Sequence, residues 1–66
     1  MVEYLGPRIR ARRVALGLTQ QGLADLVGYT KSMISQTERG GVWPSIDPLL
    51  AIARALGMPA GYFTGP

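Results

Sequence analysis

Residues 19–40 read TQQGLADLVGYTKSMISQTERG and contain clear signals for helix starts, a helix end and a turn. Thr19 and Thr30 are typical helix N-caps, because a threonine oxygen accepts hydrogen bonds from the first amides of a helix. Gly28 is typical of a helix end, because glycine adopts the left-handed conformation at little cost. The stretch therefore predicts two short helices joined by a tight turn: Gln20–Val27 and Lys31–Arg39.

The flanking sequence continues this pattern of short helices. Apolar spacing predicts a first helix over Tyr4–Leu16, with Leu5, Ile9 and Leu16 facing the core. In the second helix, the residues expected to face the core are Leu23, Leu26 and Val27, with Ala24 beside them. In the third helix, the core-facing stripe is thin and centres on Ile34, flanked by Thr37 and Glu38.

The C-terminal part adds two more helical segments. A fourth helix begins near Ser45–Pro48, capped by Ser45 or Asp47, with Pro48 a favoured first residue if Asp47 is the cap. Its apolar stripe contains Leu49, Ile52, Ala53 and Leu56. A last turn after Pro59 carries Tyr62 and Phe63, which we expect to close the core against the first helix. Because no alternating strand pattern persists, we expect a compact all-α, five-helix bundle.

Composition narrows the range of functions. The 66 residues form one expected domain, 1–66, with neither cysteine nor histidine. Disulfides, thiolate or histidine metal sites and histidine-based catalytic pairs are thereby excluded. The four carboxylates, Glu3, Asp25, Glu38 and Asp47, form no obvious pair in sequence. We therefore expect no enzyme activity, no catalytic residue, no metal and no cofactor.

The net charge of +3 fits either a polyanionic partner or ordinary surface solubility. No apolar run is long enough to span a bilayer, and no signal peptide is recognisable. No helix combines a basic face with a broad apolar one, so we expect no membrane partner. A cytoplasmic location fits these features.

The outer face of the third helix is polar. Ser32, Gln36 and Arg39 lie opposite Ile34, and Lys31 lies at the flank. Glutamine can pair bidentately with adenine, lysine can donate to guanine, and serine can do either. Any surface helix also turns polar residues outward, but the two short helices and their turn form a helix-turn-helix, whose second helix can enter a DNA major groove.

The chain resembles the Cro/repressor family of helix-turn-helix domains, also called the XRE family. The resemblance rests on LTQxxLA, a glycine in the turn, ISxxERG, PS and LLxIAxALG, in this order and within residues 5–63. It implies a lambda-repressor-like fold with the helix-turn-helix at residues 20–39. It also implies binding to double-stranded DNA, usually as a homodimer on a palindromic operator, and a role as a transcriptional repressor.

The resemblance also implies roles for single residues. The positions that read bases are Lys31, Ser32 and Gln36, and those that contact the DNA backbone are Gln20, Thr30, Arg39 and Gly40. The loop Gly41-Val42-Trp43 departs from the family because it lacks Lys or Arg, and we expect Trp43 to cover the core. An alternative remains open: some domains of this fold are antitoxins or adapters whose main partner is another protein.

Basic residues crowd the first helix. Arg13 falls within the apolar stripe beside Ile9, and Glu38 falls on the core side of the third helix. Because an unpaired buried charge is costly, we expect these two residues to form a structural ion pair. Arg8 and Arg10 lie at the flanks, where their expected contribution is solubility alone.

Overall fold

The computed structural model describes residues 5–41 and 43–65. Within these residues every regular element is an α-helix, in the order α1 Leu5–Ala15, α2 Gln20–Val27, α3 Lys31–Glu38, α4 Ile46–Ala55 and α5 Ala60–Thr64. The expected all-α, five-helix architecture is confirmed. Tyr4, Glu3 and Val42 lie outside the described residues.

Threonine caps and a left-handed glycine define the junction between α2 and α3. Thr19 Oγ1 accepts from the Gly22 amide at 2.9 Å, and Thr30 Oγ1 accepts from the Met33 amide at 3.1 Å. Gly28 ends α2 with φ of 77°, a conformation that other residues rarely adopt. The two helices are therefore held at a tight three-residue turn.

The start of α4 settles the choice between its two candidate caps. Ser45 is the N-cap residue, and its backbone carbonyl accepts from the Leu49 amide at 3.0 Å. Its side chain makes no capping hydrogen bond. Asp47 and Pro48 therefore lie within the first turn, and Pro48 is not the first helical residue.

All five helices contribute to one apolar core. The buried apolar side chains are Leu5, Ile9, Leu23, Ala24, Ile34, Leu49, Ile52, Ala53, Leu56 and Phe63. Helix α2 packs against α3 and α4, while α1 packs against α3 and α5. Consequently the inner side of α3 is held by α1 and α2, and its outer side faces solvent.

Two leucines expected in the core are exposed. Leu16 is 45% exposed because α1 ends at Ala15, and Leu18 packs against the core in its place. Leu26 is 63% exposed. Because a helix turns about 100° per residue, Leu26 points about 110° away from the centre of the face formed by Leu23, Ala24 and Val27.

Gly6 permits a close approach between α1 and the end of α3. A β-carbon at this position would overlap the carbonyl oxygen of Glu38 and lie 2.7 Å from the carbonyl oxygen of Thr37. Both are backbone atoms at the end of α3, so they cannot move aside as a flexible side chain can. The absence of a side chain at Gly6 therefore sets the distance between α1 and the end of α3.

Two arginines of α1 bind carbonyl groups at the C-terminal side of the fold. Arg8 Nη1 donates to the carbonyl oxygens of Tyr62 and Gly65, both at 2.7 Å, and its guanidinium lies 5.9 Å from the Tyr62 ring centroid. Arg12 Nε donates to the carbonyl of Leu56 at 2.9 Å. These bonds satisfy carbonyls at helix ends, which lack partners within their own helices.

Candidate nucleic-acid interface

Helix α3 has one buried and one exposed face. Ile34, Thr37 and Glu38 are buried, and the Thr37 hydroxyl donates to the carbonyl of Met33 at 2.8 Å. The sequence-predicted base-reading residues, Lys31, Ser32 and Gln36, are all exposed on the same helix. Their donors and acceptors are therefore directed to a surface that a ligand can reach.

Both ends of α3 bring further predicted site residues to the surface. Thr30 is exposed at the start, with its side-chain oxygen bound to the Met33 amide. Arg39 and Gly40 are exposed at the end, where Gly40 has φ of 80°. The Gly41 amide then donates to the carbonyl of Gln36 at 2.9 Å, so the chain folds back over the last turn of α3.

A buried ion pair anchors the inner side of α3. Arg13 Nε donates to Glu38 Oε2 at 2.6 Å and Arg13 Nη2 donates to Glu38 Oε1 at 3.0 Å, a bidentate arrangement. The side chains are 9% and 2% exposed. Arg13 Nη1 also donates to the carbonyl of Leu18 at 2.7 Å. Arg13 thereby joins α1, the loop before α2 and the end of α3.

The ion pair with Glu38 also changes the pKa of Arg13. This bond, together with the charge of Glu38, raises the pKa of Arg13 above its already high ordinary value, although burial acts in the opposite direction. Arg13 consequently stays a cation at neutral pH. Within the described residues, every buried side-chain nitrogen or oxygen has a hydrogen-bond partner.

Gln20, predicted to contact the DNA backbone, is attached to this ion pair. Its Nε2 donates to Glu38 Oε1 at 3.1 Å, and the side chain is partly exposed at the first turn of α2. The carboxylate of Glu38 therefore links three helices. The family resemblance implies that Gln20 also braces the third helix, but it does not identify Glu38, 18 positions away, as the partner.

The positive charge of α1 is largely used within the fold. Three of its arginines, Arg8, Arg12 and Arg13, bind carbonyl or carboxylate oxygens of the protein. The exposed cations among the described residues are Arg10, Lys31, Arg39 and Arg54. The proposal that Arg8 serves only solubility was therefore wrong, and the electrostatic footprint of the chain is smaller than its arginine content indicates.

The loop after α3 differs from expectation at Trp43. Its side chain is 45% exposed, whereas Pro44, the next residue, is buried. Pro44, and not Trp43, is therefore the buried residue at this point of the loop. Neither a helix long and apolar enough to cross a bilayer nor a cluster of metal-binding side chains occurs in residues 5–41 and 43–65.

The protein is a helix-turn-helix domain. Its two short helices, α2 and α3, are joined by a turn that begins at the left-handed Gly28, and the outer face of α3 is polar. A helix-turn-helix family model matches residues 9–63. The chain belongs to this family, and specifically to its Cro/repressor (XRE) type.

Curated relatives include two regulators. Repressor protein C2 of Salmonella phage P22 is 43% identical over 54 residues, which cover 82% of this chain and 25% of that protein. A transcriptional regulator in the ATPase CF(0) region of Rhodospirillum rubrum is 42% identical over 60 residues, covering 91% of this chain and 56% of that protein. The chain thus matches between a quarter and just over half of the length of these relatives.

Solved structures agree with the fold. The P22 c2 repressor in complex with a synthetic operator superposes with a TM-score of 0.90 at 39% identity, covering 92% of both chains. The restriction-modification controller protein C.AhdI of Aeromonas hydrophila has a TM-score of 0.85 at 36% identity, covering 89% of both chains. The bundle is therefore of the lambda-repressor-like type.

Proposed function

We propose that the chain binds duplex DNA sequence-specifically and acts in the cytoplasm as a transcriptional regulator, in particular as a repressor. The observation that carries this proposal is the exposed polar face of α3, on a helix whose other side is anchored to α1 and α2. The similarity to an operator-bound repressor at a TM-score of 0.90 supports it. A major groove, about 12 Å wide, admits such a helix with its side chains.

In this proposal α3 reads bases. Gln36 pairs with adenine through its amide, Lys31 donates to guanine, and Ser32 donates or accepts according to the base it meets. All three are exposed and lie on one helix. Among residues 5–41 and 43–65, none of these three side chains has a hydrogen-bond partner, so each is available to a base edge.

Backbone contacts set the register of α3 in the groove. We assign them to Gln20, Thr30, Arg39 and Gly40, which flank the base-reading residues at the two ends of the helix-turn-helix. Arg39 supplies a positive charge for a phosphate. The Gly40 amide donates to the carbonyl of Thr37 at 3.1 Å, so Gly40 contributes by letting a phosphate approach the chain where no side chain stands. Such contacts orient the protein without selecting a sequence.

We propose further that two copies bind a palindrome, with their α3 helices about 34–36 Å apart, one turn of DNA. Exposed apolar side chains near the C-terminal half, Leu50 at 43% and Tyr62 at 43% exposure, support a contact between copies, and Met58 is partly buried beside them. Sedimentation that finds a monomer both free and on palindromic DNA would contradict this part of the proposal.

Selection of bound duplexes from a random-sequence library tests the proposed function. We expect an enriched sequence, and a palindrome if two copies bind. Gln36→Ala should then weaken binding to the enriched duplex by about 1–3 kcal/mol and affect random duplex far less. Gln21→Ala is the matched control, because Gln21 is an exposed glutamine of α2 whose amide bonds to Asp25.

The same experiment separates the regulator from an antitoxin or adapter. A domain whose main partner is another protein shows little sequence preference, so its library yields no enriched site. Equal losses for Gln36→Ala on the enriched and the random duplex would remove the base-reading role from Gln36.

A further inference from the structure

Glu38 is a buried carboxylate surrounded by three donors. Its Oε2 accepts from Arg13 Nε, and its Oε1 accepts from both Arg13 Nη2 and Gln20 Nε2, at 3.0 and 3.1 Å. The ion pair requires only Arg13 to balance the charge. Gln20 is therefore an additional neutral donor, which connects the buried pair to the partly exposed start of α2.

The carboxylate determines how the Gln20 amide is oriented. Because an ionised carboxylate only accepts hydrogen bonds, the amide nitrogen of Gln20, and not its oxygen, must face Glu38. This nitrogen carries two hydrogens. One is used on Glu38, and the other has no partner among the described residues, at a side chain that is partly exposed.

We propose that Glu38 is a positioning residue for the DNA-backbone contact, and that it acts through Gln20. The Gln20 nitrogen then joins the buried carboxylate at the end of α3 to a phosphate of the duplex. This inference rests on the proposed DNA-binding function. It means that the carboxylate holding α3 in place also sets where the backbone contact lies relative to the base-reading residues.

A double-mutant cycle measured on DNA affinity tests the inference. The variants are Gln20→Ala, Glu38→Gln and both together, compared at a temperature at which circular dichroism shows each to be folded. The probes are the duplex selected from the random library and a random duplex. Gln20→Ala should weaken binding about tenfold on both probes, because a phosphate contact carries no sequence information.

Glu38→Gln distinguishes positioning from simple stabilisation. In the original background it should weaken binding several-fold, because a neutral amide at position 38 holds the Gln20 nitrogen less firmly. In the Gln20→Ala background the loss should be clearly smaller, because only the anchoring of α3 through Arg13 is then weakened. An equal loss in both backgrounds would overturn the inference, because Glu38 would then act without Gln20.

Gln21→Ala provides the matched control within the same helix. The Gln21 Nε2 donates to Asp25 Oδ1 at 2.8 Å, the same kind of amide–carboxylate bond, but one confined to α2. Its loss should leave affinity for both duplexes unchanged. A tenfold loss from Gln21→Ala would show that α2 is sensitive to any such change, and the specific role of Gln20 would be overturned.

A spectroscopic measurement keeps the test decisive if Glu38→Gln unfolds the domain. In the unmodified protein, the selected duplex should shift the side-chain amide resonances of Gln20 and leave those of Gln21 in place. Shifts in the backbone of α3 without a shift at Gln20 would overturn this inference while DNA binding stands. A protein that enriches no duplex at all would overturn both.

Discussion

Substitution of Gly6 by alanine should separate two helices that now touch through their backbones. The added β-carbon would overlap the Glu38 carbonyl oxygen and lie 2.7 Å from both the Thr37 carbonyl oxygen and the Glu38 carbonyl carbon. Gly6 also precedes Pro7, and a β-carbon before proline disfavours the helical conformation that Gly6 adopts in α1. Either α1 or the end of α3 must therefore shift.

The expected cost follows from two opposing terms. Alanine gains about 1 kcal/mol over glycine within a helix. Forcing extra volume into a packed contact costs about 1–3 kcal/mol, and more where the obstacle is backbone. Because the obstacle here is backbone, we take a cost of about 3 kcal/mol, which leaves a net loss of about 2 kcal/mol in the free energy of unfolding. For a domain of this size that lowers Tm by roughly 10–15 °C.

The assay is thermal unfolding followed by far-ultraviolet circular dichroism, with Gly61→Ala as the control. A β-carbon at Gly61 meets no atom within 4 Å, so the same chemical change in α5 should stabilise the protein by about 0.5–1 kcal/mol. The two substitutions thus have opposite expected signs. A Gly6→Ala protein as stable as the original would refute the close approach of α1 to α3.

Three further outcomes are expected. Arg13→Met and Glu38→Leu should each destabilise the fold by about 3–5 kcal/mol and the double variant by less than their sum; mild, strictly additive effects on thermal unfolding would contradict the pair. The logarithm of the DNA-binding constant should fall with the logarithm of salt concentration with a modest slope, about −2 per protomer, because Lys31 and Arg39 are the exposed cations at α3. A binding constant that does not change with salt would contradict DNA binding as the main activity. Arg8→Ala should speed hydrogen exchange of the α5 amides, because the carbonyls of Tyr62 and Gly65 lose their donor, whereas replacement of the exposed Arg10 should leave those rates unchanged.

Local signals made much of the helix-turn-helix predictable. Thr19 and Thr30 cap the helices that follow them, and Gly28 ends α2 in the left-handed conformation. Each of these features acts over three or four residues, so its chemistry is contained in the local sequence. The exposed positions of Ser32 and Gln36 follow in the same way, because each lies two residues and about 160° around the helix from the buried Ile34.

Contacts between distant residues account for what the sequence did not reveal. Arg8 binds carbonyls 54 and 57 positions away, and Arg12 binds one 44 positions away. Backbone carbonyls exist at every residue, so no side-chain pattern marks which of them will be bound. The prediction that Leu26 faces the core was wrong for a related reason. The apolar character of Leu26 is a local property, but which face of α2 is buried depends on the positions of α3 and α4.

The bonds from Arg8 bring the beginning and the end of the described chain side by side. The carbonyl of Gly65 accepts a hydrogen bond from Arg8, which lies near the start of α1. A short flexible linker should therefore join the two ends, and new ends should be tolerated in the exposed turn at Gly17. Such a circular permutant would preserve every helix contact while changing the order in which the helices are synthesised.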